Sequence, residues 1–280
     1  MRIARFAGPD GAVGFGPVEG EQVVDVSARL TWPELLADPA AARSGDPRHA
    51  VADVAWAPPV EEGAKVVCVG FNFAAHAAET GREVPVRPTL FTRFPDSFVG
   101  SGGAVVRPPE SEQLDWEGEV ALVVGTVGRR IAEADALGHV AGWTCMAENS
   151  VRDWQLHSGQ AVAGKNWEAS GVLGPWVVTA DEFGDRPLAV TTRLNGDVVQ
   201  HDTTDHLTFS AAALIAYIST FTTLRPGDVV ALGTPSGIGF RREPPRFLAP
   251  GDRIEVEVDR VGVLRHTVVD DLVPAALGAP

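Results

Sequence analysis

Along the chain, short apolar runs alternate with polar stretches broken by Gly and Pro, a pattern that predicts many brief strands and few helices. Arg2 to Phe6 and Val23 to Val26 read as strands, and Trp32 to Ala37 as one helix. The stretch Asp46 to Pro59, with Pro47, Pro58 and Pro59, reads as a loop that ends a small N-terminal domain over residues 1–60. Residues 61–280 then form the main domain. Lys65 to Gly70 predicts a short buried strand, with a short helix after it near Ala74 to Thr80. Further strands are expected at 89–93, 104–107, 116–124 and 140–147, with a helix at Glu133 to Leu137. Ser150 suits the N-cap of a helix running through His157. Asn195-Gly196, flanked by two polar-apolar runs, favours a two-residue hairpin because both positions tolerate positive φ. Leu207 to Phe221 contains the clearest helix: Leu214, Ile218 and Phe221 share a face with Ala211 and Ile215. Strands at 228–232, 252–258 and 262–269 close a fold that is mainly β with some α.

Composition narrows the function. The chain has 280 residues, 45% of them hydrophobic, enough for a sizeable core. No apolar run approaches the ~20 residues that span a bilayer, and no signal-like core follows Arg2 and Arg5, so a cytoplasmic location is expected. The net charge of −14 argues against nucleic acid or an anionic membrane as partner. It would also repel an anionic substrate, so a site for one must supply local positive charge. Cys68 and Cys145 lie in apolar stretches and read as free buried thiols.

The strongest chemical signal is Asp115-Trp116-Glu117-Gly118-Glu119, followed by five aliphatic residues. Alternate strand residues share a face, so Glu117 and Glu119 point the same way. The faces beyond them are both apolar (Ala121 and Val123; Val120, Leu122 and Val124), which implies a strand buried on both sides. Two carboxylates entering such a strand need a partner, and a hard divalent cation suits them.

This run, from Leu114 to Gly125, resembles the Glu-Gly-Glu segment of the fumarylacetoacetate hydrolase family. Gly70-Phe71-Asn72-Phe73 with His76 and Glu79 is similar to the family's Gly-x-Asn-Tyr and His-x-x-Glu segment. Ser150 to Gln155, Gly164 to Trp167, Leu173 to Glu182, Leu194-Asn195-Gly196, Gly233 to Gly239 and Pro250-Gly251-Asp252 follow in one register over residues 65–270. The resemblance implies a mixed β-sandwich roll, usually a homodimer, with three carboxylates on one Mg²⁺ or Mn²⁺ (Ca²⁺ being a third occupant). Glu117 and Glu119 match the first two ligands. The third is normally Asp; here it is Glu148, whose side chain reaches about 1.5 Å further. Phe73 stands where the family has Tyr.

The resemblance further implies that Lys165 lines the pocket and that His76 and Glu79 form an acid-base pair. Thr234, Gln155, Arg93 and Phe73 are candidates for substrate contact, and Arg152 for orienting the carboxylates. The implied substrate is a small anionic 2-oxo acid that chelates the cation and reacts through an enolate. Hydrolytic C–C cleavage of an acylpyruvate or related 2,4-dioxo acid is the first expectation, since His76 and Glu79 can activate water. Isomerisation, hydration or decarboxylation of a 2-oxo (diene) acid is the alternative within enzymes. A non-catalytic small-molecule-binding protein of the same fold is the alternative from another class.

Overall fold

The computed structural model describes residues 1–41, 45–184 and 186–272. Two sheets carry the fold. The larger has twelve strands, and its centre runs in the order Gly171–Thr179, Val140–Ala147, Gly118–Val124, Val229–Ala231, Val66–Gly70 and Thr89–Arg93. Neighbours are antiparallel, except that Val229–Ala231 runs parallel to Val66–Gly70 and Phe98–Gly100 runs parallel to Gly171–Thr179. The second sheet has five strands, ordered Asp197–Thr203, Ala189–Leu194, Arg253–Val258, Gly262–Asp270 and Ala104–Arg107.

The first sixty residues share the larger sheet. Arg2–Ala7 pairs with Gly171–Thr179, with Ile3 opposite Val177. Val13–Glu19, Gln22–Val24 and Arg48–Ala50 extend the sheet outward from there. Trp32–Ala37 is a helix because Thr31 and Glu34 form a reciprocal capping box and Pro33 occupies the first turn. Its Trp32, Leu35 and Leu36 pack with Ala121 and Val123 from the central strand. The opposite side chains, Val120, Leu122 and Val124, pack with Val190, Ile254, Val256 and Leu264 of the second sheet. Gly118–Val124 is therefore buried on both faces, as its composition implied.

Three local expectations change. The strand expected at 116–124 begins at Gly118, and Glu117 lies in the break between Leu114–Asp115 and Gly118–Val124. Ser150 caps no helix: Ser150–Val151 pairs with Leu114–Asp115, and only the turn Arg152–Gln155 is helical. The Ser150 hydroxyl donates instead to Glu117 Oε1 at 2.7 Å. The long helix spans Ala211–Phe221 from an Ser210 N-cap; Leu214, Ile215 and Ile218 are buried, but Phe221 is 59% exposed. Phe221 ends the last turn, and the chain leaves extended at Thr222, away from the core. The Asn195-Gly196 hairpin forms as expected, with both residues at positive φ.

Gly118 illustrates how tightly the sheets meet beside the two carboxylates. A Cβ there would lie 1.9 Å from Thr192 Oγ1. Gly118 also donates its N–H to Gln200 Oε1 and accepts from the Thr234 hydroxyl. Gly118→Ala should destabilise the protein by about 1–3 kcal/mol through overpacking. Because the clash is with the Thr192 hydroxyl, the Gly118→Ala/Thr192→Ala double variant should recover part of that loss in urea unfolding. Strict additivity of the two substitutions would count against this contact as the cause.

Candidate metal centre

Glu117, Glu119 and Glu148 meet at the base of a cavity of about 280 Å³, with one oxygen from each within 4.8 Å of the others. Three segments bring them there. Glu119 sits at the start of Gly118–Val124, and Glu117 is held by the break just before it. Glu148 follows Val140–Ala147 and donates its backbone N–H to the Glu117 carbonyl at 2.8 Å. All three are buried.

Cations surround the cluster unevenly. Lys165, from the short helix Val162–Lys165, donates to Glu117 Oε2 at 3.0 Å and to Glu148 Oε2 at 2.5 Å. Arg152 lies 2.7 Å from Glu117 and 2.7 Å from Asp115. Arg93 donates to Glu148 Oε1 at 3.3 Å and to the Asn149 carbonyl. Glu119 contacts none of these cations and accepts one backbone N–H, from Gly233 at 2.8 Å.

The acidities follow this layout. Burial alone would raise Glu117, but Lys165, Arg152 and His76 together hold it far below the usual carboxylate range. Burial, then the charges of Glu148 and Glu117, push Glu119 well above that range. Glu148 is raised as well, first by burial and with Glu117 adding to it, against the opposing pull of Lys165 and Arg93. Burial would lower Lys165, yet Glu117 and Glu148 outweigh it, so the ammonium stays protonated. With all four carboxyl groups ionised (Asp115, Glu117, Glu119 and Glu148) and three cations beside them (Arg93, Arg152 and Lys165), one negative charge is unmatched.

The donor set fits a hard divalent cation. Opposed oxygens lie about 4.2 Å apart across Mg²⁺ and about 5 Å apart across Ca²⁺, the same scale as the observed spread. The unmatched charge and the raised Glu119 show what a cation would relieve. Glu117, Glu119 and Glu148 would hold it.

Above the cluster, the helix Ala74–Glu79 carries His76, whose Nδ1 is 3.2 Å from Glu79 Oε2. Glu79 Oε1 accepts the Gly237 N–H at 2.8 Å, tying this helix to the turn after Thr234. His76 lines the cavity, as do Lys165, Gln155 and Thr234. The Thr234 hydroxyl is already engaged, donating to the Gly118 carbonyl and accepting from Gln200 Nε2. Gln155 accepts from Arg152 at 3.0 Å. Arg93 is not on the cavity wall but behind Glu148, where it also donates to the Ser170 hydroxyl. Phe73 is likewise off the wall: it is buried and bridges to Leu207. Phe71 takes the wall position, with its backbone at φ 58° and its ring stacked 5.9 Å from that of His76.

Several supporting groups carry no distinct sequence signal. Ser150 and Gln200 act through hydrogen bonds that only the folded register creates. Phe71 owes its role to a left-handed backbone, which no aromatic residue advertises in sequence. Asp115 was visible only as part of the acidic run. Its carboxylate accepts the Gly239 and Phe240 N–H groups and pairs with Arg152.

The β-roll is an architecture shared with solved enzymes. A fumarylacetoacetate hydrolase from the psychrophile Exiguobacterium antarcticum superposes with a TM-score of 0.85 at 31% identity, covering 97% of this chain and 100% of that one. A 5-carboxymethyl-2-hydroxymuconate delta-isomerase from Mycobacterium smegmatis gives a TM-score of 0.82 at 29% identity, with coverage of 97% and 100%. In sequence, the human mitochondrial oxaloacetate tautomerase FAHD2A is 39% identical over 254 residues, 90% of this chain and 77% of its own length. Residues 65–269 match the fumarylacetoacetate (FAA) hydrolase C-terminal family, and the chain belongs to that family. Among the described residues, no helix is long and apolar enough to cross a membrane.

The electrostatics make a test that needs no substrate. A carboxyl whose folded pKa is raised costs stability once it ionises. That cost is absent below the ordinary carboxylate range and grows as pH rises through the folded value. Metal-free Glu119→Gln should therefore be more stable than metal-free wild type at pH 7, and the advantage should fade as pH falls below about 4. Added Mg²⁺ or Mn²⁺ should reverse the order by stabilising the wild type alone. Thermal unfolding across pH, with and without metal, reads both effects. An advantage over wild type no larger at pH 7 than at pH 4 would contradict the charge layout.

Proposed function

We propose that this protein is a divalent-cation-dependent enzyme that interconverts the keto and enol forms of a small 2-oxo acid, with oxaloacetate as the first candidate. One observation carries the reading: three buried carboxylates, a protonated lysine and a His–Glu dyad surround one cavity. The name of the human relative supports tautomerisation, and isomerases and hydrolases occur among the solved neighbours. A bound Mg²⁺ or Mn²⁺ supplies Lewis acidity toward the oxygens of the 2-oxo acid. The setting proposed is cytoplasmic, in contrast to the mitochondrial location in the human relative's name.

The chain's own groups divide the remaining work. Lys165 donates to Glu117 and Glu148, so it serves as a cation and hydrogen-bond donor at the cluster. Glu79 accepts from the Gly237 N–H through one oxygen and faces His76 Nδ1 with the other. Nδ1 then carries the proton, which leaves Nε2 with the lone pair. In the keto-to-enol direction His76 takes a proton from the carbon beside the keto group and delivers it to the enolate oxygen, and the reverse transfer, from the enol hydroxyl to that carbon, restores the keto form. Gln155 and the backbone around Thr234 are placed to orient the substrate.

Hydrolytic C–C cleavage of an acylpyruvate is the second reading, because the same dyad could take its proton from water. Incubating the metal-loaded protein with enol oxaloacetate and with an acylpyruvate separates the outcomes. Tautomerisation bleaches the enol absorbance with no change of mass, hydrolysis adds water and splits the product, and decarboxylation releases CO₂. Loss of enol absorbance no faster than in buffer would defeat the tautomerase assignment. His76→Ala and Glu79→Gln should each lower kcat by about 10² or more, with Mn²⁺ binding intact. Calorimetry alongside turnover distinguishes this from collapse of the site.

A further inference from the structure

The mouth of the cavity carries positive charge that the chemistry so far leaves unused. Arg82 and Arg241 both line it, and neither has a carboxylate partner among the described residues. The helix Ala74–Glu79 ends at Gly81, at φ 73°, where the Gly81 N–H reaches Ala78 O and the Arg82 N–H reaches Ala77 O. This paired closure fixes the backbone of Arg82 just past the helix that bears His76. The Arg82 guanidinium lies 4.8 Å from the centre of the Phe71 ring, and that ring stacks on His76. From the turn Gly239–Arg241, Arg241 donates to the Thr80 carbonyl at 2.8 Å. A guanidinium has five N–H donors, so each arginine keeps most of its donors free.

Charge matching indicates what they would meet. With a divalent cation bound, the buried cluster goes from one negative to one positive charge, which matches the single carboxylate beside the keto group of a 2-oxo acid. A second carboxylate would find no counter-charge at the base. The three glutamates are the only acidic side chains on the described cavity wall. Apart from His76, the cations remaining on that wall are Arg82 and Arg241.

Building on the proposed 2-oxo acid activity, we propose that Arg82 and Arg241 form a clamp for the distal carboxylate and select dicarboxylic over monocarboxylic 2-oxo acids. The clamp adjoins the His76 helix, so a bound dianion would also draw that helix toward the Gly233 to Gly239 turn that Glu79 already holds.

The test compares wild type, Arg82→Met, Arg241→Met and the double variant, all loaded with Mg²⁺. Turnover is measured on oxaloacetate and on acetylpyruvate, in which a methyl ketone replaces the distal carboxylate. Each single variant should lower the oxaloacetate-to-acetylpyruvate ratio of kcat/KM by about 10-fold and the double variant by about 100-fold, chiefly through KM. Arg82→Lys should keep part of the preference. In parallel, calorimetry compares oxaloacetate with 2-oxobutyrate, which has a methyl group in place of that carboxylate, and the affinity ratio should fall in the same order. Equal losses on both compounds, or unchanged ratios, would overturn the clamp and leave the arginines as supports of the helix end. If the wild type turns over neither compound, the tautomerase reading fails, and the binding ratios alone decide the clamp.

Discussion

Burying carboxylates beside one another is the constraint around which this structure is organised. Ionised groups taken out of water are tolerated only where opposite charge and hydrogen bonds replace the lost solvation. Lys165, Arg152 and Arg93 do this for Glu117 and Glu148, and Ser150 adds a hydroxyl. Glu119 receives only the Gly233 N–H. The imbalance is concentrated on one ligand, so the site is least comfortable where a cation would help most. Ser150 and Arg152 share one segment and the other compensating groups come from separate ones, and the register of the central strands helps bring them together.

The same constraint shapes the cavity above. Acidic side chains at its base would exclude an anionic substrate, so attraction must come from the cation, from Lys165 and from the rim. The wall between base and rim is aromatic and aliphatic, with Phe71, Phe91 and Leu90 beside His76. A low-dielectric wall strengthens the charges at both ends. Glu79 is fixed by the Gly237 N–H and holds its other oxygen against His76 Nδ1.

Much of this was legible before any coordinates. The alternation around Glu117 and Glu119 showed a doubly buried strand with charges at its start, since a period of two cannot hide apolar faces on both sides. The three-residue spacing of His76 and Glu79 placed them on one helical turn. Glu148 was found only through resemblance to the family, because nothing local distinguishes it from a surface glutamate. The placement of Arg93 and Phe73 was not legible: each lies behind the wall, and only the packing of Glu148 and of Leu207 shows it. Ser150 misled because a serine before a polar run has the same signature whether it caps a helix or serves a carboxylate. Arg82 and Arg241 are far apart in sequence, and their presence on one cavity wall depends on the turn after Thr234 folding back to reach the Thr80 carbonyl.

The pairing of Arg2–Ala7 with Gly171–Thr179 has a consequence for how the chain is made. Arg2–Ala7 is synthesised well before its partner and cannot take its place in the sheet until residues near 180 have followed it. During that interval Ala121 and Val123 lack the Trp32 and Leu35 side chains that later cover them. Long-range pairing of this kind slows closure and leaves apolar strand faces open to wrong partners. Nascent chains of this protein should therefore depend on chaperone shelter until Gly171–Thr179 has been made.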